Sequence, residues 1–241
     1  FEVLPGVSFD IERGSVVSIV GGSGAGKTTL LQIMGTLSRA DRGEVLIDGV
    51  ATEKLNDNDL SVFRNRRIGF VFQAHNLLPE FTALENVCLP GFIAGRDKEE
   101  VEAQAVELLR GLDLSERALH KPAQMSGGEQ QRIVIARALL NDPKMILADE
   151  PTGNLDEANT VMIMDLLRKI SADHLVLLVT HEANLVDYYC DTVIELQDGK
   201  IVNAAGPLVS ATCTRVPVID GHTACVSLEF DLPEDKKPSL A

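Results

Sequence analysis

Long apolar runs are missing from this 241-residue sequence. None approaches the roughly 20 residues needed to cross a bilayer, and no charged-then-apolar leader opens the chain. Any membrane role is therefore expected to be peripheral, through a partner. Basic residues are scarce, with 22 Lys and Arg against 36 Asp and Glu and a net charge of −14. Nucleic-acid binding needs a basic footprint, so no nucleic-acid partner is expected. The charge bears on solubility rather than on fold. Cysteines number four (Cys88, Cys190, Cys213, Cys225) and form no C-x-x-C pair, which suits reduced thiols in a cytoplasmic compartment. Cys213, His222 and Cys225 lie close in sequence but lack a recognised ligand spacing, so no metal is assigned to them. Internal repeats, low-complexity segments and an Asn-Lys-x-Asp guanine-reading motif are absent too.

What is present begins at Gly21. Residues 21–28 read Gly-Gly-Ser-Gly-Ala-Gly-Lys-Thr, which fits G-x-x-x-x-G-K-[ST], a phosphate-cradling loop. Gly21, Gly22, Gly24 and Gly26, with Ser23 and Ala25 between them, allow the main chain to wrap with its N–H groups inward. Lys27 offers a point charge to terminal phosphates and Thr28 a hydroxyl to Mg²⁺; Thr29 follows at the helix start. The flanks agree. Ser15–Val20 is a β-branched run typical of a buried strand, and Thr28–Met34 reads as a helix whose positive end faces the phosphates.

Strand and helix patterns alternate along the rest of the chain. Val7–Ile11 alternates as a half-buried strand, Val45–Gly49 ends a second strand in an Asp-Gly turn, and Ile68–Phe72 is β-prone and runs into Gln73. From about Pro79 to Leu140 the pattern turns helical. Val101, Ala105, Leu108, Leu109 and Leu112 share one helical face, and Ser126 with Glu129 has capping-box spacing. Asn141-Asp-Pro143 stops that helix. Strands return at Met145–Ala148 and Leu175–Thr180 around a helical Glu157–Ile170, and Asp198-Gly199 joins a final pair, Val193–Leu196 and Lys200–Val202. Thr223–Phe230 is a candidate strand, and Asp231–Ala241 is expected to be disordered. The alternation predicts an α/β fold with a mainly parallel sheet, an antiparallel β edge and a helical insert.

Two further groups carry chemistry. Met145–Glu150 is an apolar strand that ends in two carboxylates, at the sheet edge where α/β proteins bind ligands. Successive strand residues point apart, so Asp149 is expected to hold Mg²⁺ or its water and Glu150 to polarise an attacking water; alone, the pair is equally a solvated strand end. Ser126-Gly-Gly-Glu-Gln130 places free N–H groups and a hydroxyl at a helix start, an anion site. Alone, Ser-Gly-Gly is equally a good helix start.

In that company the chain resembles the ATP-binding subunit of ABC transporters. The motifs occur in the family's order over about Val3–Val202: loop Gly21–Thr28, Gln73, signature Ser126–Gln130, Asp149 and Glu150, Asn154-Leu-Asp156, and His181. Leu77–Val87 and Asp149–Asp156 look like the lipoprotein-releasing and macrolide-export branch. The resemblance implies a P-loop NTPase fold over 1–202, with a helical signature subdomain at about 79–140 and a C-terminal extension at 203–241. It implies Mg²⁺-dependent ATP hydrolysis by a head-to-tail pair, coupled to a transmembrane permease subunit at the cytoplasmic face of the inner or plasma membrane. Gln73 would touch Mg²⁺ or the water, although a surface glutamine also fits. His181 would contact the γ-phosphate, where a lone histidine is otherwise usually structural. Ser126, Gly127 and Gly128 would close over ATP on the opposite protomer. Asp156 would lie at the dimer seam, with a helix N-cap an equal local explanation. Gln73 to about Gly95 would dock the permease, with Leu77, Leu78, Phe81 and Leu84 as exposed anchors, although the same residues also fit packing of the helical lobe.

Two features depart from the family pattern. The aromatic that stacks on adenine is expected several residues before Phe1, and Met125 stands where leucine is usual, a volume-conserving change. The other reading, a soluble ABC ATPase of DNA repair, chromosome organisation or translation, normally brings a coiled-coil insert, a zinc insert or a second cassette. None of these is seen in the sequence.

Overall fold

The computed structural model describes residues 3–4, 6–205 and 226–229; Phe1, Cys213, His222, Cys225 and the 231–241 tail lie outside the described residues. The elements run β1 (Phe9–Ile11), β2 (Val16–Gly21), α1 (Lys27–Met34), β3 (Glu44–Ile47), β4 (Val50–Ala51), α2 (Asp57–Arg67), β5 (Ile68–Phe72) and α3 (Ala83–Ile93). They continue with α4 (Lys98–Gly111), α5 (Gly127–Leu139), β6 (Met145–Asp149), α6 (Glu157–Ile170), β7 (Leu175–Val179), α7 (Ala183–Tyr189), β8 (Thr192–Gln197), β9 (Lys200–Ala205) and β10 (Val226–Glu229).

The large sheet has the order β5-β6-β7-β2-β8-β9, parallel except for β9, which runs antiparallel to β8. Its central strands are apolar on both faces because helices cover both, as parallel sheets require. On β7, Leu175, Leu177 and Val179 pack with Leu30, Ile33 and Met34 of α1 on one side. Val176 and Leu178 pack with Val134 and Ile135 of α5 and Ile163 and Leu167 of α6 on the other. A third cluster joins α3, α4 and α5 through Val87, Val101, Ala105, Leu109, Ile133 and Leu140, the helical subdomain. The face expected from Val101, Ala105 and Leu109 is the buried one.

The antiparallel sheet has the order β1-β10-β3-β4. Val226–Glu229 pairs with Phe9–Ile11 on one side and Glu44–Ile47 on the other. β9 extends to Ala205, past the 202 boundary read from the sequence.

Most elements begin and end where turn and cap chemistry place them. Asp156 caps α6, Thr82 and Ser126 each close a capping box, and Asp97 caps α4. The sequence pattern gave no reading of α2 or α7. On α2 only Leu60 is buried, so that helix has no apolar stripe. It rests on the Asn56 cap, with Asp57 and Asp59 in its first turn and Arg64, Arg66 and Arg67 in its last, charges that complement the helix dipole.

Candidate functional site

Parallel strands deliver their C-terminal ends to one edge, and four of them carry the expected chemistry there. β2 runs into the Gly21–Thr28 loop, β5 into Gln73, β6 into Asp149 and Glu150, and β7 into Thr180 and His181.

The loop wraps tightly. Gly26, at the N-cap of α1, has φ 100°, a left-handed conformation that favours glycine. A Cβ on Gly21 would fall 2.3 Å from the Leu196 carbonyl oxygen, so β8 demands glycine there. Ala25 N–H donates to the Gly22 carbonyl at 3.2 Å, and Gly199 N–H to the Ala25 carbonyl at 3.1 Å. The Lys27 ammonium donates to the Gly21 and Gly22 carbonyls at 2.8 and 2.9 Å. That bond pair holds the charge over the loop with a third donor left for an anion. Ser23, Gly24 and Thr28 are exposed and Thr29 half-buried, a rim open to a phosphate.

The carboxylates face that loop. Burial first, and the Glu150 charge second, push the Asp149 carboxyl above its ordinary range, while Lys27 pulls it back. Glu150 has φ 47°, a strained value for a non-glycine residue, which costs on the order of 1–3 kcal/mol. Its N–H donates to the Val179 carbonyl at 2.8 Å, and the turn brings its Oε1 to 2.8 Å from His181 Nδ1. That bond and the Glu150 charge hold the His181 imidazole above its ordinary pKa. Glu150 Oε2 is buried without a hydrogen-bond partner, the condition of an acceptor available to a water. The Glu150 side chain is 19% exposed and that of His181 is 74% exposed, so the carboxylate is sheltered and the imidazole open.

Gln73 joins the same edge. Its N–H donates to the Asp149 carbonyl at 3.0 Å, and its Nε2 reaches Asn154 Oδ1 at 3.4 Å. It lies over Gly153, where a Cβ would fall 2.7 Å from Nε2. Glu182, at the N-cap of α7, braces the 150–154 turn: its carboxylate accepts from the Thr152 hydroxyl at 3.1 Å, and its N–H donates to Thr180 Oγ1 at 3.2 Å.

Ser126, Gly127 and Gly128 are not part of this edge; they sit at the start of α5, against the start of α6. A Cβ on Gly127 would meet Leu155 at 3.5 Å, and one on Gly128 would fall 2.0 Å from Asn159 Oδ1. Asn159 in turn is held by Asp156, whose carboxylate accepts from the Asn159 N–H at 2.9 Å and from its Nδ2 at 2.8 Å. Those bonds hold the exposed Asp156 carboxyl below its ordinary range, and within one chain Asp156 is a helix cap. Ser126 is exposed, and its hydroxyl accepts from Glu129 N–H at 3.2 Å. Glu129 pairs with Arg117 at 2.7 Å, which with the Ser126 N–H brings its carboxyl down to about 2.

Of the four expected anchors, Leu78 and Phe81 are exposed. Leu77 and Leu84 are corrected: Leu77 packs against two core clusters and Leu84 against the helical one. Asn86 is the reason the loop takes this course. It is fully buried, accepts from Leu78 N–H at 2.8 Å, and donates to the Leu78, Phe81 and Thr82 carbonyls. Sequence reading missed Asn86, Asn159, Thr152 and Glu182. Asn159 alone had a local signal, its place three residues after the capping Asp156. Among the described residues no group of acids, histidines and cysteines could hold a metal ion by itself, and no helix is long and apolar enough to cross a membrane.

The chain is similar to known proteins in sequence and fold. The family model described as "ABC transporter" matches residues 4–153. A second model, "Semialdehyde dehydrogenase, dimerisation domain", matches residues 192–239, and its first part falls on β8 and β9 of the large sheet. The lipoprotein-releasing system ATP-binding protein LolD of Porphyromonas gingivalis is 52% identical over 200 residues, 82% of this chain and 91% of that protein. LolD of Aquifex aeolicus is 46% identical over 203 residues, 84% and 90% of the two chains. Among solved structures, a dimeric post-hydrolysis state of the ATP-binding cassette MJ0796 bound to ADP and Pi has 44% identity and a TM-score of 0.73, covering 81% of this chain and 87% of that one. CbiO1 from Clostridium perfringens, part of the ABC transporter complex CbiONQ, reaches a TM-score of 0.74 at 26% identity, covering 82% and 79%. With the ordered motifs, the wrapped loop and these likenesses in hand, the chain belongs to the ABC transporter family as an ATP-binding, ATP-hydrolysing subunit.

Proposed function

We propose that this ATPase works as a head-to-tail pair at the cytoplasmic face of the inner or plasma membrane, where closure on ATP drives a transmembrane permease subunit of the lipoprotein-releasing kind. The LolD names of its relatives support the branch. The ATPase cassette runs through β9 to Ala205, with its helical subdomain at about 79–140, and Val226–Glu229 of the C-terminal extension adds a strand to its antiparallel sheet. The observation that carries the reading is the Glu150–His181 bond at 2.8 Å, at the sheet edge that also bears the wrapped lysine loop.

The chemistry is positioning and charge neutralisation rather than covalent catalysis. Gly21–Thr29 grips the phosphates through main-chain N–H groups and Lys27. Glu150 polarises an in-line water, and His181 holds that carboxylate and meets the γ-phosphate. The open hydroxyl of Thr28, the half-buried Asp149 and the amide of Gln73 form an oxygen donor set that fits Mg²⁺, which when bound would neutralise phosphate charge. Ser126, Gly127 and Gly128 cover the partner's ATP, with Asp156 at the seam. Leu78 and Phe81 offer the permease an apolar contact.

A positioned base contributes about 10²–10⁴-fold. Glu150→Gln is therefore expected to bind ATP, accumulate an ATP-bound dimer on size exclusion, and release phosphate at least about 100-fold more slowly. Near-normal phosphate release by that variant removes Glu150 from the role.

A further inference from the structure

Arg137 lies outside every motif described above, on the far end of the helix that Ser126 begins. Its guanidinium donates to the Asn76 carbonyl at 2.7 Å and the His75 carbonyl at 3.0 Å. Both partners are main chain, and no carboxylate pairs with it among the described residues. Burial alone shifts its pKa, downward. A half-buried cation with no counter-ion is costly, so two fixed carbonyls are its compensation. In the first turn of the same helix, Gln130 anchors the helix start: its Nε2 donates to the Pro122 and Met125 carbonyls at 3.0 and 3.1 Å, next to Ser126. Asn76 takes φ 50°, a turn that presents both carbonyls to one guanidinium fork.

The gripped segment is the loop that carries Gln73. Its other end is pinned by the Gln73 N–H to the Asp149 carbonyl at 3.0 Å. The loop is thus strung between the carboxylate strand β6 and the signature helix α5, and Arg137 fixes the α5 end.

We infer that Arg137 is a positioning residue which sets the place of the Gln73 amide over the 153–154 turn, and which makes that loop and the Ser126–Gly128 helix start move as one piece. The inference rests on the proposed role of Gln73. A residue acting this way changes turnover through Gln73 and leaves nucleotide capture by Gly21–Thr28 alone.

The test is a double-mutant cycle on the full chain, with Gln73→Ala, Arg137→Met and the combination, each assayed for steady-state ATP hydrolysis over a range of ATP concentrations. Arg137→Met is expected to lower kcat roughly ten-fold, since small misplacements near reacting groups cost that much or more. The KM for ATP should stay within about two-fold. In the Gln73→Ala background the same change should lower kcat by less than about two-fold further. Arg137→Lys, which keeps the charge but not the fork, should recover part of the loss, and it replaces Arg137→Met in the cycle if that variant unfolds. Additive losses, or a raised KM, overturn the inference while leaving the Gln73 assignment intact. No loss in Gln73→Ala alone overturns both.

Discussion

Gly128→Ala and Gly21→Ala put the same methyl group against two different obstacles, and the structure gives them different magnitudes. An ideal Cβ on Gly128 would lie 2.0 Å from Asn159 Oδ1 and 2.5 Å from Cγ, but 3.2 Å from Asn159 Cβ. The conflict is with the tip of a rotatable amide. Asn159 can swing away by giving up its Nδ2 bond to Asp156, worth about 0.5–1.5 kcal/mol. Alanine returns about 0.5–1 kcal/mol over glycine within a helix, so the net cost is between about −0.5 and +1 kcal/mol. A Cβ on Gly21 would instead lie 2.3 Å from the Leu196 carbonyl oxygen, at φ 151°, inside the β2–β8 pairing. Neither atom can move without breaking the sheet. Backbone strain of about 1–3 kcal/mol and overpacking of about 1–3 kcal/mol sum to about 2–6 kcal/mol. Urea unfolding of the full chain, followed by far-UV circular dichroism, separates the two. Adding Asn159→Ala to Gly128→Ala should remove whatever steric cost remains. The reasoning is refuted if Gly128→Ala loses more than about 3 kcal/mol that Asn159→Ala does not return, or if Gly21→Ala unfolds at the wild-type urea concentration.

Three other perturbations follow from the electrostatics. The His181 imidazole, titrated by NMR, should show a pKa above the ordinary 6.5; the charge-dependent stabilisation it draws from Glu150 is fully present below that value and lost as pH rises through the raised pKa. Glu150→Gln should return it toward 6.5, and an unchanged titration would break the assignment. Glu129, brought down from 4.5 to about 2 by Arg117 and the Ser126 N–H, contributes stability that is full above the ordinary carboxylate range and lost as pH falls from about 4.5 to about 2. Arg117→Met should remove part of it, a small part because the pair is partly exposed and screened; an acid-unfolding curve that does not shift would contradict this. Burial pushes the Cys88 and Cys190 thiols up to about 11, so peptide-resolved alkylation at pH 8 should spare both until denaturant is added, and rapid labelling of either in buffer would count against its placement.

The parts legible in the sequence are those set by local chemistry. Strand β6 could be read because an apolar run ends in two acids, and the start of α5 because Ser126 and Glu129 have capping-box spacing. Helix α2 could not be read from apolar periodicity, since it buries only Leu60; its signal was the acidic first turn and basic last turn. The Glu150–His181 contact joins residues 31 apart and depends on a left-handed φ at Glu150 that no residue type announces. Leu77 and Leu84 resembled Leu78 and Phe81 in sequence. What separates them is the buried Asn86, which draws the loop's carbonyls inward and turns two of the four apolar side chains into the core. Spacing names the groups that meet at a sheet edge; it does not say which side chain a long-range amide will reel in.

The position of β10 sets a schedule for the growing polypeptide. Val226–Glu229 fills the gap between Phe9–Ile11 and Glu44–Ile47, so two early ribbons wait for one late one. At about 5–20 residues per second, translation leaves that seam open for on the order of 10–40 s after β3 emerges. During that time its unpaired amides and carbonyls are a template for stray ribbons, and a ribosome that stalls before residue 226 releases a chain with the phosphate grip encoded and its flank unzipped.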